Sequence, residues 1–383
     1  MKSAEILLND AKIELTNVSN VSSETIDQFM KADTLFFDTE TTGFSPWKNE
    51  IALIQLYDRD SKKCLLARVP ENWTPDTWLI DLFSKSKTFV GHNISSFDIP
   101  FIAVAGVPWE KSKYFDTLIG ETICSTSGRS DVSKSLRASV RRRTGYEINK
   151  DIAHGGWRNE NLSADQINYA AIDVLALPDL LDTQKEKAAD TGQTEAIEME
   201  MEVLPVFASM TINGLPISIE ALDKSMQQAH IKMDESAKLL EAKLGNINFN
   251  SPVQLKRRLN EIGIEVESTN KELLQDIIQF DPDTDNAKLL QAILNWRKPS
   301  KRTAMYGSDE WREQHIQYDG RIHAQFWQVG ADTTRVSSSD PNLQQVPKDS
   351  RWVFGNLPGY NIVSVDYSQI EVRICAEFSS DTA

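Results

Sequence analysis

In the first 190 residues, short apolar runs alternate with longer amphipathic stretches, whereas residues 1–30 show a mixed pattern. Runs rich in β-branched and aromatic residues predict strands at 35–37, 51–57, 64–69 and 88–90. Apolar residues that recur every three or four positions predict helices at 99–105, 115–124, 132–144 and 164–181. Because the strands come first and the helices are interleaved later, this part of the chain is expected to form an α/β layer structure.

From about residue 190 the pattern becomes mainly helical. Helical periodicity covers 195–210, 219–244, 253–262 and 286–305, and Ser251-Pro252 reads as an N-cap followed by proline in the first turn. Near Arg321 the pattern changes again, since residues 322–327 alternate like a strand. The run 360–366 is typical of a buried strand that ends in Asp366. We therefore expect three regions, 1–190, 191–320 and 321–383.

The composition is that of a soluble globular protein of two or three domains, since 40% of the 383 residues are hydrophobic and 25% are charged. No apolar run approaches the roughly 20 residues that span a bilayer, and the N-terminus lacks the pattern of a signal peptide. We therefore expect no membrane partner. Cys64, Cys124 and Cys375 are widely spaced and form no CxxC pattern. This favours a reducing cytoplasm.

The net charge of −15 argues at first sight against nucleic acid, because duplex binding depends on cations that displace counterions. The positive charge is nevertheless clustered, at 137–143, 256–258 and 297–302. For any one such cluster, a solvated helix face is the simpler interpretation. Enzymes that cleave phosphodiesters with metal ions also need many carboxylates, so net charge does not decide the function.

Two pairs of residues near the predicted strands suggest chemistry. Asp38 and Glu40 are two positions apart on an extended segment, so their carboxylates project to one side and offer oxygen ligands to a divalent cation. Asp98 ends an N-x-x-x-F-D segment that follows another apolar strand. Asp116 competes with it for the same role, but the N-x-x-x-F-D arrangement favours Asp98. Taken alone, the first pair reads as two solvated charges beside a turn, and Asp98 as a helix cap.

Tyr169 and Asp173 are four residues apart in a predicted helix and therefore share one face. Taken alone, Tyr169 reads as a packed aromatic and Asp173 as a solvated charge. Four carboxylates and one tyrosine in this order are what a two-metal site on an α/β sheet requires. The combination therefore predicts metal-dependent hydrolysis of phosphodiesters.

These motifs resemble the DEDD superfamily of 3′→5′ exonucleases, in the Y subtype because of Tyr169, over about residues 30–190. The resemblance implies a ribonuclease H-like fold with a mixed sheet flanked by helices. It also implies two Mg²⁺ or Mn²⁺ ions bound by Asp38, Glu40, Asp98 and Asp173. Tyr169 would orient the attacking water, and Asn93 and Phe97 would lie near the single-stranded 3′ end. Trp157 is either a base-stacking platform or a core aromatic.

The third region resembles family A DNA polymerases in two segments. Residues 331–347 are similar to the segment written T-x-T-G-R-[LF]-S-S-x-x-P-N-L-Q-N-[IV]-P, and residues 365–373 are similar to motif A, D-Y-S-Q-I-E-x-R. The resemblance implies that residues 1–190 are a proofreading exonuclease domain, 191–320 a helical thumb and 321–383 the start of an α+β palm. Departures of the segment from the family pattern include Thr334, Val336 and Gln345.

The polymerase resemblance also implies roles for single residues. Asp366 would bind a metal ion in the palm, Glu371 would exclude a ribose 2′-hydroxyl, and Tyr367 would pack near it. The residues that would contact primer-template DNA are Arg335, Asn342 and Gln344. Five further residues of the thumb region are candidates for phosphate contacts: Lys256, Arg257, Lys298, Lys301 and Arg302.

The sequence after Asp366 contains neither the fingers helix nor the second palm carboxylate of that family. We therefore expect polymerisation only together with the missing C-terminal half. That half either is a second polypeptide, as in a split polymerase of viral or bacterial origin, or has been lost by truncation. The expected role of the chain is proofreading in DNA replication or repair. Two alternatives remain open. One is a free-standing 3′→5′ exonuclease that acts on DNA, or on RNA as ribonuclease D-like enzymes do, and grips DNA with its C-terminal remnant. The other is a non-catalytic DNA-binding subunit.

Overall fold

The computed structural model describes residues 2–3, 5–125, 132–148, 155–355, 359 and 361–380. These residues form two compact units. One comprises Met1–Gly214 with Gln317–Val346, and the other comprises Leu215–Ile316 with Pro347–Ala383. The boundaries differ from the three regions expected from the sequence, because residues 191–214 and 317–346 belong to the same unit as the first region. No helix in the described ranges is long and apolar enough to cross a membrane.

Strands alternate with helices in the first half of the chain, and helices predominate in the second half. The strands are β1 (Lys2–Ser3), β2 (Lys12–Asn17), β3 (Thr34–Thr41), β4 (Ile51–Asp58), β5 (Lys63–Arg68), β6 (Thr88–Gly91), β7 (Lys113–Asp116), β8 (Tyr146–Glu147), β9 (Leu215–Pro216), β10 (Arg321–Ile322), β11 (Gln325–Trp327) and β12 (Ser337–Ser339). The α-helices are α1 (Glu5–Asp10), α2 (Ser23–Lys31), α3 (Thr77–Phe83), α4 (Asp98–Val104), α5 (Thr117–Cys124), α6 (Leu136–Thr144), α7 (Ala164–Leu175), α8 (Leu177–Thr191), α9 (Thr194–Asn213), α10 (Ile219–Leu244), α11 (Pro252–Glu261), α12 (Lys271–Phe280), α13 (Asp285–Tyr306), α14 (Asp309–His315) and α15 (Ile370–Ser379).

A six-stranded mixed sheet, in the order β2-β5-β4-β3-β6-β7, is the centre of the first unit. β4 runs antiparallel to both of its neighbours, whereas the other adjacent pairs are parallel. One hydrophobic core lies between the sheet and α6, α7 and α8, and a second core lies on the opposite face with α2, α3, α4 and α9. The predicted α/β class with a mixed sheet flanked by helices is therefore confirmed.

Two strands of this sheet were missed by the sequence pattern. β2 lies in residues 1–30, where the pattern is mixed because an edge strand buries only some of its side chains. β7 occupies the start of the helix predicted at 115–124. The helix α5 begins only at Thr117, because the side chain of Asp116 accepts a hydrogen bond from Leu118 N and caps it.

The helix predicted at 164–181 is in fact two helices. α7 begins with a capping box, in which Ser163 and Gln166 each satisfy the other's backbone N–H. α7 ends at Leu175, and α8 begins at Leu177 with Pro178 in its first turn. Proline lacks the N–H that would continue the hydrogen-bond ladder, so the break falls there. The helix predicted at 132–144 starts at Leu136 with Ser135 as its N-cap.

The second unit contains the predicted long helices, α10 and α13, which pack against each other. α11 starts at Pro252 with Ser251 as its N-cap, as predicted, whereas α12 and α14 were not predicted. Arg302 is buried and its guanidinium lies 2.7 Å from Asp349 Oδ2, so the expectation that Arg302 contacts DNA phosphates is wrong. Lys298 also pairs with Asp349 but stays exposed.

The prediction of a buried strand at 360–366 is wrong for the described residues 361–366. Tyr360 itself lies outside the described residues. The segment forms no strand and its apolar side chains are exposed, Val363 by 80% and Val365 by 88%. A strand needs a neighbour to accept its backbone hydrogen bonds, and no strand of the described chain pairs with this segment. The segment is followed by α15, which is also exposed.

Candidate active site

Three carboxylates form a cluster on the α7 side of the sheet. Asp38 and Glu40 lie at alternate positions of β3, and Asp173 lies on α7, with one ligand oxygen of each within 4.8 Å of the others. Side chains alternate along a strand, so Asp38 and Glu40 face the same core as Phe36, which packs with α7. The fold therefore brings together three of the four carboxylates predicted as metal ligands.

The fourth predicted ligand, Asp98, lies at the start of α4, which belongs to the core on the other face of the sheet. Its carboxylate is 1% exposed and accepts a hydrogen bond of 2.5 Å from Thr39 Oγ1. Burial raises the pKa of Asp98, and the charge of Asp116 adds to the shift. The structure thus places Asp98 against the strand that carries the cluster, but outside the group of three within 4.8 Å.

Asp116 has a different task from Asp98. Its carboxylate accepts hydrogen bonds from the backbone N–H groups of Asn93, Ser95 and Leu118, at 2.8, 3.2 and 2.9 Å. Burial raises its pKa to about 6, although these backbone donors lower it. Asp116 therefore holds the loop that leads to Asp98, whereas the assignment of Asp98 as a metal ligand stays a prediction.

Asn93 is the second residue of this loop and adopts a left-handed backbone with φ of 67°. Asparagine tolerates that conformation better than most residues. Gly91, two residues earlier, has no room for a side chain, since a Cβ would lie 2.7 Å from Phe37 O. Phe97 is half-buried, and its ring centroid lies 5.0 Å from that of Phe101.

Tyr169 is buried on α7, on the same face as Asp173. Burial raises the pKa of its hydroxyl, and the negative charges of Asp173, Glu40 and Asp38 raise it further. The hydroxyl therefore stays protonated at every ordinary pH. The ring of Trp157 lies 6.0 Å from that of Tyr169 and is 5% exposed. Trp157 is thus a core aromatic, and the base-stacking alternative is excluded by its burial.

The donor set of the cluster indicates which ions fit. Asp38, Glu40 and Asp173 offer only carboxylate oxygens, with no histidine or cysteine among them. Hard cations such as Mg²⁺ and Mn²⁺ prefer these ligands, whereas structural zinc favours nitrogen and sulfur. The sequence did not predict the contribution of Thr39, because nothing in a D-x-E pattern marks the intervening residue.

The arginine cluster at 137–143 is partly structural. Arg142 and Arg143 both donate to the carboxylate of Glu121, which is fully buried. The Nε2 of Gln184 donates to the same carboxylate at 3.2 Å. The interpretation as a solvated helix face is therefore wrong for these two arginines. Arg141 is exposed and lies 3.4 Å from Glu147.

The residues predicted to contact primer-template DNA lie near one another in the chain and have local partners. Asn342 accepts from Gln344 N, and Gln344 Nε2 donates to Val336 O at 2.9 Å. Arg335 is exposed. Asp366, Tyr367 and Glu371 are exposed, and within the described ranges Asp366 is not part of a carboxylate cluster that could hold a metal ion.

A ribonuclease H-like sheet with acidic residues gathered from a central strand and a covering helix defines a nuclease-type domain. Comparison with known proteins agrees with this class. Residues 14–187 match the family of the 3'-5' exonuclease, and residues 219–383 match DNA polymerase family A. Residues 14–187 thus carry an exonuclease domain, and residues 219–383 carry a domain similar to the family A DNA polymerases.

Relatives and solved structures support this assignment. The chain is 27% identical over 369 residues to DNA polymerase I of Aquifex aeolicus. This alignment covers 91% of the chain and 60% of the relative. It is 28% identical over 386 residues to DNA polymerase I of Pseudomonas aeruginosa. This alignment covers 92% of the chain and 41% of the relative. The chain therefore spans only part of the length of these relatives.

The similarity extends to the fold of a solved structure. The POL domain of Pol1 from M. smegmatis, solved with DNA primer-template and dNTP, matches with a TM-score of 0.72 at 18% identity. The match covers 96% of this chain and 63% of that one. At this identity the comparison establishes the shared fold, and it includes both units of the chain.

Proposed function

We propose that this chain is a metal-dependent 3′→5′ exonuclease that removes nucleotides from single-stranded 3′ ends of DNA and proofreads for a family A polymerase. The observation that supports this proposal most directly is the cluster of Asp38, Glu40 and Asp173 within a domain of the 3'-5' exonuclease family. Every carboxylate predicted from the motifs is present, which argues against a non-catalytic subunit.

In this proposal Asp38, Glu40 and Asp173 hold Mg²⁺ or Mn²⁺, and Asp98 completes the ligand set for two ions. When bound, the ions lower the pKa of an attacking water and stabilise the entering and leaving oxygens. Burial, together with the surrounding carboxylates, raises the pKa of the Tyr169 hydroxyl, so it keeps its proton, orients the water by a hydrogen bond and does not act as a base. Asn93 and Phe97 lie on the loop before Asp98 and would position the terminal nucleotide.

The exonuclease proposal is tested by digestion of 3′-labelled single-stranded DNA and RNA with Mg²⁺ or Mn²⁺. We expect release of nucleotides from DNA by the wild-type chain and none by Asp38→Ala. Asp190→Ala is the matched control, because Asp190 is an exposed residue near the end of α8. Unchanged release by Asp38→Ala would contradict the assignment, and preferential release from RNA would favour the ribonuclease D-like alternative.

For the polymerase part we propose primer-template contacts by Arg335, Asn342 and Gln344, and palm roles for Asp366, Tyr367 and Glu371. Residues 191–320 would act as the thumb, with Lys256, Arg257 and Lys301 exposed and available for phosphate contacts. The second polypeptide with fingers and remaining palm stays a prediction. The exposed apolar side chains between residues 362 and 378 are a surface that such a protein would cover.

A further inference from the structure

Gln55 is a buried polar residue directly beside the carboxylate cluster. In the antiparallel pair of β3 and β4, Gln55 lies opposite Asp38, and directly opposite residues point to the same face of a sheet. The side chain of Gln55 is 0% exposed. Neither its amide nitrogen nor its amide oxygen has a hydrogen-bond partner among the described residues.

The other sheet neighbours of Gln55 are apolar. On β5 it lies opposite Leu66, and two positions before and after it on β4 are Leu53 and Tyr57, all of which belong to the core on the α7 side. Asp38 is therefore the one charged residue that lies directly opposite Gln55 in the register of the described strands. A leucine or methionine would fill the same space without leaving a buried amide unsatisfied, which costs folding free energy.

We propose that Gln55 is a positioning residue, whose amide N–H donates to the Asp38 carboxylate when Asp38 binds the metal ion and so fixes the direction of its ligand oxygen. The proposal rests on the metal-dependent exonuclease proposed above. Opposite residues in an antiparallel pair have Cβ atoms about 4.5–5.5 Å apart, a distance that a glutamine side chain spans. Carboxylates that bind metals are commonly held by such hydrogen bonds from a second layer of residues.

The proposal assigns Gln55 an effect on the metal site and no contact with DNA, because the side chain is fully buried. Its loss should weaken metal binding and lower kcat, while the KM for single-stranded DNA stays the same. A residue that only fills the core would behave differently. Its replacement would change the stability of the chain without metal and leave the metal affinity unaltered.

The test uses the full chain with Gln55→Met, and Gln55→Leu as a second variant should Gln55→Met fail to fold. Mn²⁺ binding is measured by calorimetry, and thermal unfolding is followed with and without Mn²⁺. We expect Mn²⁺ affinity to fall by about 10- to 100-fold, as for other residues that orient metal ligands. Without metal, the unfolding midpoint should be unchanged or higher, because the variants no longer bury an unsatisfied amide.

Gln184→Met is the matched control. Gln184 is equally buried, but its Nε2 donates to Thr117 O at 2.9 Å and to Glu121 at 3.2 Å. This control should lower the unfolding midpoint without metal and keep the wild-type Mn²⁺ affinity. Wild-type Mn²⁺ affinity in both Gln55 variants would overturn the proposed role of Gln55 but leave the proposed exonuclease site standing. Absence of Mn²⁺ binding by the wild-type chain would instead overturn the proposed exonuclease site.

Discussion

Thr39 Oγ1 donates a hydrogen bond of 2.5 Å to Asp98 Oδ1, and this contact ties the start of α4 to the central strand β3. Thr39 lies between Asp38 and Glu40, but strand alternation turns its side chain toward α4, away from theirs. Thr39 therefore ties the fourth predicted ligand, Asp98, to the strand that carries Asp38 and Glu40.

Removal of the Thr39 hydroxyl should weaken the fold and the nuclease together. Thr39→Val keeps the shape of the side chain and leaves the buried Asp98 carboxylate without this donor, so the free energy of unfolding should fall by about 1–3 kcal/mol in urea titrations. Thr122→Val is the control, since Thr122 only donates to a carbonyl of its own helix and should change stability by less than about 0.5 kcal/mol. Equal effects of the two variants would contradict the importance of this contact.

Tyr169→Phe should separate catalysis from packing. The variant keeps the ring that packs near Trp157 but loses the protonated hydroxyl beside the carboxylates. We expect kcat for nucleotide release to fall about 100-fold because the water is no longer oriented, with little change in KM or in the thermal midpoint. Tyr318→Phe, at an exposed position, should leave every parameter unchanged. Full activity of Tyr169→Phe would remove the tyrosine from the mechanism.

Asp173→Asn should stabilise the chain in the absence of metal and abolish its stabilisation by metal. The ligand oxygens of Asp38, Glu40 and Asp173 lie within 4.8 Å of one another, so one charge fewer relieves repulsion. We expect a gain of about 0.5–2 kcal/mol without metal. Wild type with Mn²⁺ at about 100 times its Kd should gain about 2.7 kcal/mol, and the variant should gain none. Thermal unfolding with and without Mn²⁺ measures both effects, and a metal-dependent gain in the variant would count against the site.

The ion pairs of buried Glu121 with Arg142 and Arg143 should make the stability of the chain depend on pH in the acid range. Burial by itself would raise the pKa of Glu121, but hydrogen bonds and charge from Arg143, with Gln184 and Arg142, lower it below its ordinary value of 4.5. A carboxyl whose pKa is lower in the folded state contributes stability above its unfolded pKa, and this contribution is lost as the pH falls through the folded pKa. The wild-type chain should therefore lose stability below about pH 4.5.

Glu121→Gln tests this pH dependence. At pH 7 the variant should be less stable by about 3–5 kcal/mol, because two partly buried arginines lose their carboxylate partner. Between pH 7 and pH 3 its stability should fall less steeply than that of the wild type, as measured by urea titration at each pH. Parallel profiles for the two proteins would show that another group dominates the acid transition.

The local spacing of apolar residues was sufficient to predict many of the strands and helices of the fold. Four of the six strands of the central sheet and the long helices α10 and α13 follow from the spacing of apolar residues, since that spacing reflects which side of an element is buried. The same holds for Asp38 with Glu40 and for Tyr169 with Asp173. Their spacing of two and of four residues already places each pair on one face of its element.

The tertiary structure alone decided which residues meet across elements. It brought Asp173 to Asp38 and Glu40, bound Asp116 to the loop at Asn93, and gave Glu121 its two arginines. It also left residues 361–366 exposed, where their apolar pattern had indicated a buried strand. The physical reason is that periodicity along the chain encodes the buried face of an element, whereas the partner of that face is set by contacts between residues distant in sequence.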